Sequence, residues 1–224
     1  MISAVLLSGG QGSRFNASLP KQYHQLCSKP IVLRSLEALL CYKDWKEVAI
    51  VCDPSYQSIF DPYTKMAPLV FAEPGKERQE SVISGIKSLS KEVNWVCIHD
   101  GARPLLSPKD LQEVIKEGIK TGASALGCPI DYTLKEVKDN LNVIQTPCRS
   151  RFWEIQTPQV IKTSFLLEGY KKATQACIHA TDDVFFAELL GHKVQLVKGS
   201  KSNFKITTPE DLICAEALWT SIHG

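Results

Sequence analysis

The sequence predicts a three-layer α/β fold with a mainly parallel sheet and a projecting β-arm, and three observations point there. Short apolar runs alternate with longer stretches in which apolar residues recur at helical spacing. The first run, ISAVLL, leads straight into a glycine-rich loop, the position at which open α/β sheets receive ligands. With 44% hydrophobic and 22% charged residues, a chain of 224 residues can also bury one full core.

Taken in order, ISAVLL reads as a buried strand and PIVLRSLEALLCY as a helix. KEVAIVCD and PLVFAE are short β-rich runs. Val82, Ile83, Ile86 and Leu89 then share one helical face, and NWVCIHD returns to strand. Ser107-Pro108-Lys109-Asp110 forms a capping box with proline at the first helical position, opening a helix along Leu111, Val114, Ile115 and Ile119. ASALGCPI is the next strand. The rhythm breaks between about Asp131 and Gln156, where short alternating segments flank a turn at Asp139-Asn140. We read 131–156 as a β-hairpin arm of a single domain spanning 1–224. An arm exposing Leu141, Val143, Ile144, Phe152 and Trp153 calls for a partner surface, which predicts a symmetric homodimer. A helical stretch follows from about Thr163, then a capped helix beginning near Thr181-Asp182-Asp183 and a strand in HKVQLVKG. Thr208-Pro209-Glu210-Asp211 caps the closing helix.

The net charge of +2, with bases and acids interspersed, argues against a nucleic-acid partner. No apolar run approaches the length of a membrane span, and no signal-peptide pattern opens the chain, so a cytoplasmic enzyme or binding protein is expected. The eight cysteines form no CxxC pair. Those in apolar runs, such as Cys52 and Cys97, read as reduced small hydrophobes.

The loop in LLSGGQGSRFNASLPKQ carries the strongest chemical signal. Gly9, Gly10 and Gly12, following Ser8, remove the side chains that would keep a phosphate from main-chain N–H groups. The dinucleotide fingerprint is excluded because Phe15 stands where its third glycine belongs. The P-loop is excluded because Lys21 follows Pro20. The cations Arg14 and Lys21 instead come after the glycines. That order suits nucleotidyl transfer, in which charge builds on the α-phosphate oxygens and the departing pyrophosphate. A glycine turn with two solvated cations is the competing reading.

On LLSGGQGSRF and the following PKQY, the chain resembles the nucleotidyltransferases that make activated sugars and alcohols. Within them it looks most like the 2-C-methyl-D-erythritol 4-phosphate cytidylyltransferase family, from Ser3 to about Leu218. The resemblance implies a Rossmann-like nucleotidyltransferase domain, with CTP and a polyol phosphate as substrates and Mg²⁺ as cofactor. It assigns Ser8, Gly9, Gly10 and Gly12 to the nucleotide, with Arg14 and Lys21 as its catalytic cations. In GKERQESVISGI it implies that the loop from Gly75 closes over the pyrimidine and that Ser81 contacts it, while Lys76 stands where many members have an acidic or small residue. In HDGARPLLS it places Asp100 and Gly101 beside ribose, with Asp100 near the metal directly or through water. Arg78 is expected to brace the Gly75 loop, Arg103 acts structurally or near the acceptor phosphate, and a strand-end His99 is more simply a hydrogen-bonded core histidine than a base. The resemblance further implies that Thr133, Arg149, Thr157, Thr181 and Lys205 bind the acceptor, with Arg149 reaching across the dimer. Arg149 matches by its distance from Thr157-Pro158-Gln159, and Arg151 competes for the role.

The expected reaction is transfer of CMP from CTP to 2-C-methyl-D-erythritol 4-phosphate with release of pyrophosphate. Ribitol 5-phosphate is the alternative acceptor, and a non-catalytic nucleotide-binding regulator is the alternative of a different class.

Overall fold

The computed structural model describes residues 1–10, 15 and 19–223. In chain order the elements are β1 (Ile2–Leu7), β2 (Gln25–Leu26), β3 (Lys29–Pro30), α1 (Ile31–Leu39), β4 (Val48–Val51), β5 (Leu69–Ala72), α2 (Arg78–Ser88) and β6 (Trp95–Asp100). They continue as α3 (Pro108–Thr121), β7 (Ala123–Pro129), β8 (Glu136–Val137), β9 (Val143–Gln145), β10 (Trp153–Lys162), α4 (Thr163–Gln175), α5 (Phe185–Leu189), β11 (Gln195–Lys198) and α6 (Pro209–His223).

Seven strands form one sheet in the order β11-β7-β10-β6-β1-β4-β5. Every pairing is parallel except the two made by β10, which runs antiparallel to both β6 and β7. The central strands β1, β4 and β6 are largely apolar because both of their faces are covered, with Ser3 and His99 buried among the apolar residues. Ala4 and Leu6 of β1 join a core with Leu36 and Leu39 of α1 and Leu111 and Val114 of α3. Val5, pointing the other way, joins Val82 and Ile86 of α2, Leu166 of α4 and Phe186 of α5. The alternation of side chains along a strand therefore makes the three layers. A third cluster, with Leu26, Ile31, Leu105, Ile206 and Ala215, seats α6 beneath the ligand end of the sheet.

Local signals work where they were strong. The Ser107 hydroxyl accepts from the Asp110 N–H at 3.1 Å with Pro108 at the first helical position, and α3 ends at Gly122 in the left-handed region (φ 102°). Asp211 accepts from the N–H groups of Thr207 and Thr208 at the head of α6.

Two expectations shift. The arm expected over 131–156 ends earlier, because Trp153–Gln156 belong to a ten-residue strand, Trp153–Lys162, inside the main sheet. That strand's register breaks between Ile155 and Gln159, around the cis Thr157–Pro158 bond, and that irregularity accommodates the proline. The helix placed near Thr181 begins only at Phe185, whose N–H is accepted by Asp182 at 3.0 Å, so Asp182 rather than Thr181 supplies the turn-closing oxygen. Between β7 and β10, β8 and β9 pair as a two-stranded hairpin that turns at Asp139–Asn140. Its apolar residues face outward, Leu141 at 80% exposure and Val143 and Ile144 at about half.

Candidate functional site

The carboxyl ends of β1 and β6, the loop after β5 and the segment before α6 converge on a cleft of about 710 Å³. Gly9, Gly10, Lys21, Gly75, Ser81, Asp100, Gly101 and Lys205 all line it. These eight come from five separated stretches of the sequence, and the sheet's parallel winding brings them together.

The glycines do different work. A Cβ on Gly9 would stand 2.2 Å from Cβ of Pro74, so only glycine lets the first loop lie against the loop after β5. Among the described residues, a Cβ on Gly10 would meet nothing within 4 Å. A bare backbone at that position leaves room for a ligand to approach the main chain. Ser8 lies beneath the cleft surface, with its hydroxyl donating to the Tyr23 phenol at 3.1 Å. Gly12 and Arg14 lie outside the described residues. Lys21 donates from Nζ to the Ile206 carbonyl at 2.7 Å, which holds it beside Lys205.

Asp100 is the electrostatic centre. It is 6% exposed and pairs with Lys205 at 3.0 Å and with Arg78 and Arg103 at 3.4 Å each. Burial alone would raise its pKa, but Arg78, Lys205 and Arg103 outweigh that and hold the carboxyl well below the usual carboxylate range. Arg78 also makes a bidentate pair with the buried Asp183, at 2.7 and 2.8 Å. Burial works against its charge, yet Asp183 and Asp100 raise its pKa. Arg103 donates to the Asn203 carbonyl at 2.8 Å and lines a second cleft of about 350 Å³, whose wall Lys205 shares. Lys205 therefore stands between two cavities, one carrying the glycine loop and one beside the base of the arm.

His99 is a brace and not a base. The Thr157 hydroxyl accepts from the Asp100 N–H at 3.0 Å, so its own proton goes to His99 Nδ1, also at 3.0 Å. That leaves Nε2 to donate to the Arg103 carbonyl at 3.0 Å. The ring is neutral, fully buried and without a free nitrogen, and burial pushes its pKa from 6.5 down to about 4 against the pull of Asp100. The unfolded chain's histidine takes up its proton near pH 6.5 and the folded one only near 4, so unfolding binds a proton in this window. Stability is then expected to fall by about 3 kcal/mol as pH drops from 6.5 to 4, and His99→Asn should flatten that slope in denaturant titrations across the window. An unchanged slope in the variant would assign the acid lability to other groups.

Other residues read from the sequence lie elsewhere. Thr157 is 3% exposed, spends its hydroxyl on the brace just described and lines neither cleft. Thr133 and Arg149 are exposed on the arm, and Arg149 donates to the Asp131 carbonyl. Thr181 lines a third cleft, with Arg78, Asp182 and Asp183, on the far side of the Gly75–Ser81 loop. Among the described residues no group of three histidine, cysteine or carboxylate side chains could hold a metal ion, and no helix is long and apolar enough to cross a membrane.

Three amides that sequence reasoning missed hold this arrangement. Gln22 Nε2 donates to the carbonyls of Ser8 and Gly10. The Gln159 carbonyl oxygen accepts from the N–H groups of Asp183 and Val184. Asn203 Nδ2 bridges Gln156 and the Thr157 carbonyl. The one signal available was polar amides inside PKQY, QTPQ and SNFK, which give no hint of their partners.

Residues 2–221 match the family described as 2-C-methyl-D-erythritol 4-phosphate cytidylyltransferase. A chloroplastic protein of that name from Oryza sativa is 45% identical over 219 residues, covering 97% of this chain and 74% of that protein. One from Chlamydia pneumoniae is 44% identical over 216 residues, covering 96% and 98%. Among solved structures, 4-diphosphocytidyl-2C-methyl-D-erythritol synthase from Anaerococcus prevotii superposes with a TM-score of 0.86 at 26% identity, covering 98% of each chain. The Thermus thermophilus cytidylyltransferase superposes at 0.79 with 30% identity, covering 97% and 98%.

Proposed function

The chain belongs to the 2-C-methyl-D-erythritol 4-phosphate cytidylyltransferase family, and from that premise we propose how its residues carry the reaction. The enzyme is a cytidylyltransferase. It transfers CMP from CTP to 2-C-methyl-D-erythritol 4-phosphate, giving 4-diphosphocytidyl-2-C-methyl-D-erythritol and pyrophosphate in non-mevalonate isoprenoid synthesis.

The observation that carries the residue assignment is the cleft shared by Gly9, Gly10, Lys21, Gly75, Ser81 and Asp100, with Lys205 on the wall toward a second cavity. The triphosphate lies along the glycine loop, held by main-chain N–H groups, Arg14 and Lys21. The pyrimidine sits under Gly75–Ser81, where the cytosine edge meets backbone groups and the Ser81 hydroxyl. The acceptor's phosphate comes from the Lys205 side. It is already ionised at neutral pH and attacks the α-phosphorus in line, so no general base is required. The barrier that remains is repulsion between two anions, and catalysis rests on holding them collinear and stabilising the charge that develops.

Magnesium fits this site as an ion carried by its substrate. The cleft offers two carboxylates, Asp100 and Glu77, and no three-ligand cage among the described residues, the pattern of an ion completed by phosphate oxygens and water. Bound there, Mg²⁺ would withdraw charge from the triphosphate.

The arm carries the remaining assignments. Its outward Leu141, Val143, Ile144 and Phe152 support a homodimer in which Thr133 and Arg149 reach the acceptor of the partner protomer. Leu141→Asp with Ile144→Asp should shift the protein to monomers in sedimentation runs and remove turnover together with the dimer. A monomeric wild type would end this part of the reading. Thr157 and Thr181 reach the acceptor only with a local rearrangement, since the first is buried and the second faces another cleft. A soluble compartment, cytoplasm or organelle stroma, completes the proposal.

Pyrophosphate release from CTP and Mg²⁺ tests the whole, measured with 2-C-methyl-D-erythritol 4-phosphate and ribitol 5-phosphate side by side. The whole-chain family match predicts turnover with the first and little with the second. Reversed preference would reassign the acceptor, and CTP binding without turnover on either would indicate a regulator.

A further inference from the structure

The turn Lys21–Tyr23 immediately follows Pro20, and each of its side chains is committed to a backbone carbonyl. Gln22 is the one that reaches the glycine loop at two points. It is 3% exposed, and its Nε2 donates to the Ser8 carbonyl at 2.7 Å and to the Gly10 carbonyl at 2.9 Å. Tyr23 adds a second donor to the Ser8 carbonyl at 3.2 Å.

In a planar trans peptide the C=O and the following N–H point in opposite directions. Drawing the Ser8 carbonyl back toward Gln22 therefore turns the Gly9 N–H the other way, and Gly9 lines the cleft. Glycine is the residue least able to hold such an orientation unaided, because its backbone is the freest. A primary amide is the neutral group that offers two N–H donors from one nitrogen, which is what two converging carbonyls require. Gln22 is also covalently next to Lys21, so the same turn fixes the donors of the loop and the cation facing them.

We propose that Gln22 is a positioning residue that holds the glycine loop in its phosphate-receiving shape and locks it to Lys21. The inference rests on the nucleotide reading of this cleft given above. It accounts for the glutamine of PKQY, to which neither the pattern of the sequence nor the substrate chemistry assigns a task. Gln22 acts through the backbone of Ser8 and Gly10, so its removal should be felt on the nucleotide side and spare the acceptor.

Two full-length variants test it. Gln22→Met keeps the volume and removes both donors. Gln22→Glu keeps the shape and sets carboxylate oxygens against two carbonyls. For Gln22→Met, kcat/KM for CTP should fall about 10–100-fold, with KM for the acceptor near its wild-type value. Pyrophosphate binding, read by calorimetry, should weaken in parallel. For Gln22→Glu the loss should be deeper at neutral pH and partly recovered as pH falls, because a protonated carboxyl regains one donor. That rise on the acid side should be absent from the wild-type profile.

A merely structural role would lower the melting temperature and both substrates' parameters together, with no recovery in acid, and that outcome overturns the proposal. So does a Gln22→Met protein with wild-type kcat/KM for CTP. If Gln22→Met failed to fold, the pH profile of Gln22→Glu would decide alone. If the wild type released no pyrophosphate, the nucleotide-transfer reading would fall. Unchanged pyrophosphate binding in the variants would then still overturn the role of Gln22, and weakened binding would still support it.

Discussion

Lys21→Ala is expected to lower kcat by about 10²–10³ while changing KM for CTP much less, the signature of a donor whose interaction strengthens in the transition state. The lysine is placed for it. Its ammonium donates to the Ile206 carbonyl at 2.7 Å, so the charge is anchored at the cleft wall beside Lys205 and does not swing in solvent. As the acceptor oxygen attacks, charge shifts onto the α-phosphate oxygens and the departing pyrophosphate, and a prepositioned cation gains most where charge grows. Lys21→Arg should rescue poorly, because a planar fork does not reproduce a compact ammonium held on the Ile206 carbonyl. Steady-state pyrophosphate release at saturating CTP measures the effect, with the melting temperature as the control for the lost Ile206 contact. Near-normal turnover in Lys21→Ala would remove the residue from the chemistry.

Much of this site could be read from the sequence because its signals are local. ISAVLL is apolar but for Ser3 and NWVCIHD has an apolar middle from Trp95 to Ile98, the pattern of strands covered on both faces, and each ends at a residue of the cleft. Gly9, Gly10 and Lys21 follow from loop chemistry within a few residues, whereas the family resemblance alone implies Gly75 and Ser81. The two shifted elements had weak or divided signals. The sequence pattern ends the arm at Gln156, whereas the strand from Trp153 runs on through Pro158 at a change of register in the main sheet. Thr181, Asp182 and Asp183 are all competent caps, and propensity does not choose among them. Tertiary contact does, since Asp183 is taken by Arg78, 105 residues away.

The bracing network was invisible for a related reason. Gln22, Gln159 and Asn203 find partners 12 to 47 residues distant, so their roles exist only once the chain is folded. The family resemblance likewise implies an acceptor role for Thr157, while the fold engages its hydroxyl with His99 and the Asp100 backbone. Residues that face a ligand tend to sit in loops with telling composition. Residues that hold those loops do not.

Asp100→Asn should be among the most destabilising single changes in the molecule, and bound anions should reverse it. The carboxylate is 6% exposed and balances Lys205, Arg103 and part of the charge of Arg78. Deleting one partner of a buried pair leaves uncompensated charge and costs about 3–5 kcal/mol. Arg78 and Lys205 keep about a third of their side chains exposed, so water screens part of that, and the lower end is expected. For a domain of this size that corresponds to a loss of about 10 °C in melting temperature. Of these cations Arg78 and Lys205 line the cleft, where pyrophosphate can take the place of the carboxylate. Pyrophosphate should therefore raise the melting temperature of Asp100→Asn by more than it raises that of the wild type, by mass action on a site with surplus positive charge. Turnover should stay low, because an anion that settles on Lys205 keeps it from the acceptor phosphate. Thermal denaturation of both proteins over a pyrophosphate series reads all of this. Equal melting temperatures and equal shifts would mean that Arg78, Arg103 and Lys205 do not depend on Asp100, and the electrostatic centre of the site would have to be sought elsewhere.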